Sequence, residues 1–368
     1  MPDPKRLSSF DGAFVGPLLP PPAPPGVLPP PRPAPTETLL AIPLASRKLA
    51  GQAFDLLTRS DSGLRGASFY IGFMATATIA PVVALAALVA LASASQEQPW
   101  NSDAFPVWAL WLMLGVVPGI LGYFGAAVDA RGLAIAVIGG RAEGRPLRLR
   151  ESIAIARRRF WQLLGAQIIV GVISTIVSAI TQAAVHVVIP RVEAIDTAIA
   201  LLSSLLVGVP FAYAAAGIVL GGVGVREALQ RSVRLVRIRP ALAVTVTLFS
   251  VGSQFLVLLG VLAGAEASGL VATGLHLDTG FPLPLVVPAV AVLVFAFGTL
   301  LFLAEAFAAA PAVYAFAALT HYTAGLESGR RDPVKTRHPW DPWVTPGFAL
   351  TAALALLALV AGVLSLNR

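Results

Sequence analysis

The sequence predicts an all-α polytopic transmembrane helix bundle: three repeated hairpins with cytoplasmic amphipathic helices, plus a C-terminal seventh span. Three observations carry that expectation. Hydrophobic residues make up 57% of the 368 and charged residues only 12%, whereas a soluble domain carries about 25% charged residues. The apolar residues gather into seven long runs, most of them reaching the roughly 20 residues that cross a hydrocarbon core of about 30 Å. A basic segment opening with Arg-Glu occurs twice, 76 residues apart, each time just before an apolar run.

Residues 1–43 read as a proline-rich cytoplasmic arm. Pro20-Pro21-Pro22-Ala23-Pro24-Pro25 and Pro29-Pro30-Pro31-Arg32-Pro33 cannot enter helix or sheet, because proline lacks the N–H and fixes φ. The arm is expected to be polyproline-II-like or disordered. A docking ligand is one role for it; a solvated tail is the simpler one. No basic stretch followed by a short apolar run and a cleavage site opens the chain, so no signal peptide is expected.

The membrane domain occupies 44–332. It begins with Leu44 to Arg65, where Leu49, Ala53, Leu56 and Leu57 recur at helical spacing, the pattern of an amphipathic helix on a membrane surface. Six spans are expected at about 69–92, 107–128, 160–189, 198–222, 241–264 and 283–319. Gly115, Pro118 and Gly119 predict a kink in the second and Pro210 one in the fourth, since proline removes a helix hydrogen bond. The sixth is too long for one perpendicular crossing, so it tilts or projects past Pro311. Residues 333–368 are a basic linker and the seventh span, 347–366.

Charge sorts the connectors. Those after the second, fourth and sixth spans hold Arg141, Arg145, Arg148, Arg150, Arg157, Arg158, Arg159, Arg226, Arg231, Arg234, Arg237, Arg239, Arg330, Arg331, Lys335 and Arg337. Those after the first, third and fifth hold Arg191 against Glu97, Asp103, Glu193, Asp196, Glu266 and Asp278. Basic loops stay cytoplasmic, which places the N-terminus inside and, after seven spans, the C-terminus outside. All six tryptophans fall at expected span ends, where amphipathic rings settle. The net charge of +7 sits in short connectors between apolar runs, a topology signal, so no nucleic-acid partner is expected. The absence of cysteine excludes disulfides, thiolate nucleophiles and Cys-type metal sites.

The two copies of the basic segment are Arg150-Glu151-Ser152-Ile153-Ala154-Ile155-Ala156-Arg157-Arg158-Arg159 and Arg226-Glu227-Ala228-Leu229-Gln230-Arg231-Ser232-Val233-Arg234-Leu235-Val236-Arg237. Both continue from Arg-Glu through a branched aliphatic (Ile153, Leu229) and a small residue (Ala156, Ser232) to arginine (Arg158, Arg234). Both follow a Gly-Gly turn, Gly139-Gly140 and Gly221-Gly222. Each opens a unit of surface helix, outward span, external turn and inward span, and 44–128 fits the same unit more weakly. The second copy, with Val223-Gly224-Val225 before it, resembles the "eAlkRSwrLvr" segment of the bacterial glycerophosphoryl diester phosphodiesterase membrane domain family. Leu56-Leu57-Thr58-Arg59 and Thr320-His321-Tyr322 are similar to that family as well, and the likeness covers roughly 44–332. It implies a multi-pass protein of the bacterial cell (inner) membrane. The phosphodiesterase activity in the family's name belongs to a separate soluble domain, so the resemblance implies no enzymatic activity here. The proline-rich arm, the stretch Leu326-Glu327-Ser328-Gly329-Arg330-Arg331-Asp332 and the seventh span depart from the family pattern.

Candidate site residues fall into two groups. Arg157, Arg158, Arg159, Arg226, Arg231, Arg234 and Arg237 are candidate contacts for anionic lipid headgroups, each worth about 1 kcal/mol beside an anionic leaflet. On a helical wheel Leu229, Val233 and Val236 share one side of the second copy, with the arginines spread round the other. Setting topology explains the same arginines without a ligand. Glu305, Asp129 and Arg131 form the candidate intramembrane polar site, because ionisable groups at membrane depth are expensive and often functional. Glu305, flanked by Phe302, Leu303, Ala304 and Ala306, needs an arginine partner or a proton. A structural pair, or a position at the interface, is the competing reading.

His186, His276, His321 and His338 are isolated in sequence and no paired-ligand motif appears, so no metal and no cofactor are expected. Gly115/Gly119, Gly217/Gly221 and Gly260/Gly264 have the spacing of close helix packing. The leading expectation is a non-catalytic structural or accessory subunit of a membrane complex, or a lipid-organising scaffold. Its partners would be membrane lipids, anionic ones among them, a membrane protein or further copies of itself. A small-molecule transporter or channel is the alternative.

Overall fold

A computed structural model describes residues 46–58, 62–94, 105–187, 193–274, 286–320, 325–326 and 343–366. The arm expected at 1–43, the first external turn, the loop at 275–285 and the basic linker up to 342 lie outside the described residues, as do the side chains around Pro118. The described residues belong to one compact unit, Ile42–Arg368. They are helical, with no strand among them. In order the helices are α1 (Ser46–Thr58), α2 (Ser62–Ala94), α3 (Phe105–Ala142), α4 (Leu149–His186), α5 (Glu193–Gly208), α6 (Ala214–Val219), α7 (Val225–Ile238), α8 (Pro240–Gly274), α9 (Val286–Thr320) and α10 (Pro346–Leu366). Among the described residues six segments are long and apolar enough to cross a membrane: one each in α2, α3, α4, α8 and α9, and one running through α5 and α6.

Several helices outlast the bilayer. α3 and α4 have 38 residues each, about 57 Å at 1.5 Å per residue, against a hydrocarbon core of about 30 Å. The excess gathers at one end, and the core sits there. Leu133, Ile135 and Ile138 of α3, Ile153 and Phe160 of α4, Tyr213, and Phe302 and Phe316 of α9 are fully buried. Towards the other end Ile168, Ile176 and Ile180 of α4, Leu256 and Leu259 of α8, and Val292 of α9 face outwards. Apolar surface left exposed on long helices suits lipid better than water.

Small residues set the closest approaches. α2 and α9 run antiparallel, with Gly298 against Gly72 and Ala75 so tightly that an added Cβ would stand 2.9 Å from that of Ala75. Phe295 packs on Phe69 and Phe73 alongside, with ring centres 5.9 and 5.3 Å away. α3 runs parallel to α9 and antiparallel to α10, whose Thr351 donates to the Gly122 carbonyl at 3.2 Å. α1 does not lie alone on a surface. Its Leu49, Ala53 and Leu56 are buried against the bundle, and Phe54 meets Phe249 of α8 and Phe307 of α9.

The two basic segments fold differently. The second forms a separate helix, α7, which ends where Arg239 leaves helical geometry at φ −139°, ψ 70°. Pro240 is the cause, because proline pushes the residue before it out of the α region. At the corresponding positions of the first copy stand Leu163 and Leu164, so α4 continues unbroken and no separate surface helix forms. Pro210 breaks the fourth span as expected. A 3-10 turn at Val209–Phe211 separates α5 from α6. Ser232 of α7 mends the break: its hydroxyl donates to the Pro210 carbonyl at 2.9 Å and accepts from the Tyr213 N–H at 3.1 Å. The buried side of α7 is therefore Ala228, Ser232 and Leu235, and the Leu229, Val233 and Val236 side that hydropathy favours lies half-buried beside it. The turn into α7 needs Gly222, at φ +67°, a conformation that glycine adopts without a Cβ penalty.

Candidate functional site

The second half of α3 carries three charged side chains, and each holds a different helix. Asp129 is 2% exposed. Its Oδ2 accepts hydrogen bonds from the Thr345 hydroxyl at 2.6 Å and from the Phe348 N–H at 3.1 Å. These groups are the start of α10, where the first backbone N–H groups have no partner within the helix and the dipole favours a carboxylate. Asp129 is thus an N-cap delivered from another helix. Gly347 makes the approach feasible, since a Cβ there would run into Asp129 Oδ2 and the Gly125 carbonyl. The second oxygen, Oδ1, is buried with no hydrogen-bond partner among the described residues.

Arg131 points to α9. Its Nε donates to Glu305 Oε2 at 2.7 Å and its Nη2 to Oε1 at 3.4 Å. The side chains are 27% and 13% exposed, so the pair is largely removed from solvent-like surroundings. Two turns along the same parallel helices, Tyr123 and Phe297 face each other at 6.1 Å between ring centres. Arg141, buried, donates from Nη1 to the Leu56 carbonyl and, at 3.5 Å, to that of Leu57. Those carbonyls close α1, and a cation at a helix C-terminus satisfies unpaired acceptors and the dipole together.

The three ties lie towards the core-bearing end. Glu305 is the nineteenth residue after Val286, about 28 Å along α9, a length close to the apolar thickness of a bilayer. The exposed Trp161 of α4 marks a similar level, because its neighbour Leu163 packs on Gly132, next to Arg131. Tyr70 adds a fourth contact, donating its hydroxyl to the Trp343 carbonyl just before α10.

The sequence-derived candidates separate accordingly. Arg131 and Glu305 come together, so of the two expectations for Glu305, a partner or a proton, the arginine partner is the one present. Asp129 belongs to a different contact. The candidate arginines form two sets. On α7, Arg226, Arg234 and Arg237 are exposed, while Arg231 pairs with Glu227 at 3.1 Å. On α4, Arg158 is exposed, Arg157 is half-buried, and Arg159 donates to Gln162 at 3.0 Å. His186, isolated in sequence, meets Asp196 at 2.6 Å where α4 and α5 adjoin. Among the described residues no group of three His, Cys, Asp or Glu side chains converges. Thr345 and Arg141 are the site residues that sequence reasoning missed. The apolar surroundings of Arg141 were the available signal; Thr345, beside a proline at a helix start, offered only the N-cap pattern. No protein-family model matches the chain, and no curated protein or solved structure matches it.

Proposed function

We propose that the chain is a non-catalytic, multi-pass integral membrane protein that serves as a structural or accessory subunit of a membrane complex or as a lipid-organising scaffold. One observation carries the reading: Asp129, Arg131 and Arg141 of α3 are each committed to another helix, at α10, α9 and α1. Charges bound up in this way hold an architecture together. A passing ion needs polar groups that can release one partner and take another.

The fuller reading keeps the three repeated hairpins, two of them opening with the Arg-Glu segment, and counts α10 as the seventh span. The 21 residues of α10, about 31 Å long, run antiparallel to α3, which supports that count. The arginine-rich end faces the cytoplasm of a bacterial cell and the C-terminus lies outside the inner membrane. Kinship with the glycerophosphoryl diester phosphodiesterase membrane domain family belongs to the same proposal and rests on the segments quoted above. Gentle purification from the native membrane, with identification of bound proteins and lipids, tests the function. A stoichiometric protein partner or a defined lipid complement is expected; a solitary chain carrying one specific small molecule overturns it.

A transporter or channel is the second reading. The broken fourth span favours it, since discontinuous helices build substrate and ion sites in transporters.

A further inference from the structure

α7 presents one charged side. Arg226, Gln230, Arg234 and Arg237 follow the i, i+4, i+8, i+11 spacing that lines up one face of a helix, and all four are exposed. The opposite side is Ala228, Ser232 and Leu235, buried, and the two hydrogen bonds of Ser232 to the Pro210–Tyr213 break fix the rotation of the helix. The arginine stripe is thus held outwards. None of the three arginines makes a hydrogen bond or ion pair with a described residue, whereas the acid of the same helix, Glu227, is engaged by Arg231.

Its position is equally defined. α7 starts at Val225, beside Gly165 of α4, four residues past the exposed Trp161. It ends at Ile238, with Arg239 alone between it and α8. α4 and α8 are the least buried of the six apolar segments, so α7 bridges the two spans with most outward surface. Beside Arg237 lies Ile238, an apolar side chain 41% exposed. A cationic stripe with an apolar residue at its membrane end fits a lipid better than a soluble polyanion. Guanidinium groups match phosphate geometry with paired hydrogen bonds, and anionic leaflets attract basic residues within a Debye length.

We infer that the Arg226, Arg234 and Arg237 face of α7 is a binding surface for anionic phospholipid headgroups at the bilayer rim. The inference deepens the lipid-organising part of the proposed function and rests on its membrane-spanning premise. The test is native mass spectrometry of the delipidated full-length protein, titrated with phosphatidylglycerol and separately with phosphatidylcholine. Phosphatidylglycerol is expected to bind more tightly. Each arginine contributes about fivefold, so Arg226→Gln/Arg234→Gln/Arg237→Gln lowers phosphatidylglycerol binding by about 100-fold. Phosphatidylcholine binding stays unchanged, and the triple lysine variant keeps most of the preference. Equal binding of the two lipids to the native chain overturns the inference, as does a triple glutamine variant that retains phosphatidylglycerol. A single-stranded oligonucleotide that binds the stripe more tightly than phosphatidylglycerol does also overturns it. If the triple glutamine variant loses helix, Arg234→Gln alone decides, with a fivefold loss expected and no loss overturning. Release of the chain from membranes by alkaline carbonate would sink the membrane premise itself, which a missing lipid preference leaves standing.

Discussion

Replacing Glu305 by Met leaves Arg131 charged among apolar helices. The bond it loses is short, 2.7 Å, between side chains only 27% and 13% exposed. Breaking a fully buried pair from one side costs about 3–5 kcal/mol, and an exposed pair is worth about 0–1 kcal/mol. Partial exposure of Arg131 puts this pair between those limits, so Glu305→Met and Arg131→Met should each cost about 2 kcal/mol. The double variant removes both charges and replaces them with apolar chains, so it should cost about 1 kcal/mol or less. The cycle therefore contains a coupling of about 3 kcal/mol, far outside the ~0.5 kcal/mol scatter of independent sites. Reversible SDS titration in mixed micelles, followed by circular dichroism on all four proteins, measures it. A double variant whose cost equals the sum of the singles refutes the claim that the two side chains act as a unit.

Three further outcomes follow from the same contacts. Asp129→Ala removes the acceptor for the Thr345 hydroxyl and the Phe348 N–H; a lost cap costs about 1–2 kcal/mol, and hydrogen exchange should rise first at the start of α10. Asp129→Asn, which keeps one acceptor oxygen, should recover most of that protection, and unchanged exchange in the alanine variant would show that the cap is not a support. Ser232→Ala strands the Pro210 carbonyl and the Tyr213 N–H, at about 1–3 kcal/mol, measured in the same titration; a neutral result would mean the broken span does not depend on α7. For orientation, a cysteine in place of Ser95 should react with an impermeant maleimide in intact cells and one in place of Ser328 only after lysis, and the reverse pattern inverts the topology.

The positions of the long apolar helices were legible because a run of apolar residues is a local property. So was the break at Pro210, and so was the need of Glu305 for an arginine partner or a proton. The partner's identity was not, since Arg131 lies 174 residues away and only the parallel register of α3 and α9 brings the two together. The link from Asp129 to α10 was hidden for the same reason. Its sequence neighbourhood shows an acid near a span end, and nothing local tells that a helix start 216 residues later will need it. The rotation of α7 escaped hydropathy because the tightest packing selects small residues. Ala228 and Ser232 fit where Gly217 and the Tyr213 backbone press close, while the larger Leu229, Val233 and Val236 sit half-buried beside them. The two Arg-Glu segments looked alike because the residues that separate them, Arg239-Pro240 against Leu163-Leu164, lie just past the likeness.

Whether the charges of α3 hold helices or pass an ion is decided by flux. Proteoliposomes carrying the full chain, loaded with a pH-sensitive or cation-sensitive dye and given an imposed gradient, should leak no faster than protein-free vesicles, and Glu305→Gln should leave that rate unchanged. A flux above the protein-free rate that disappears in Glu305→Gln would contradict the architectural role of the Arg131–Glu305 pair and make the chain a transporter or channel.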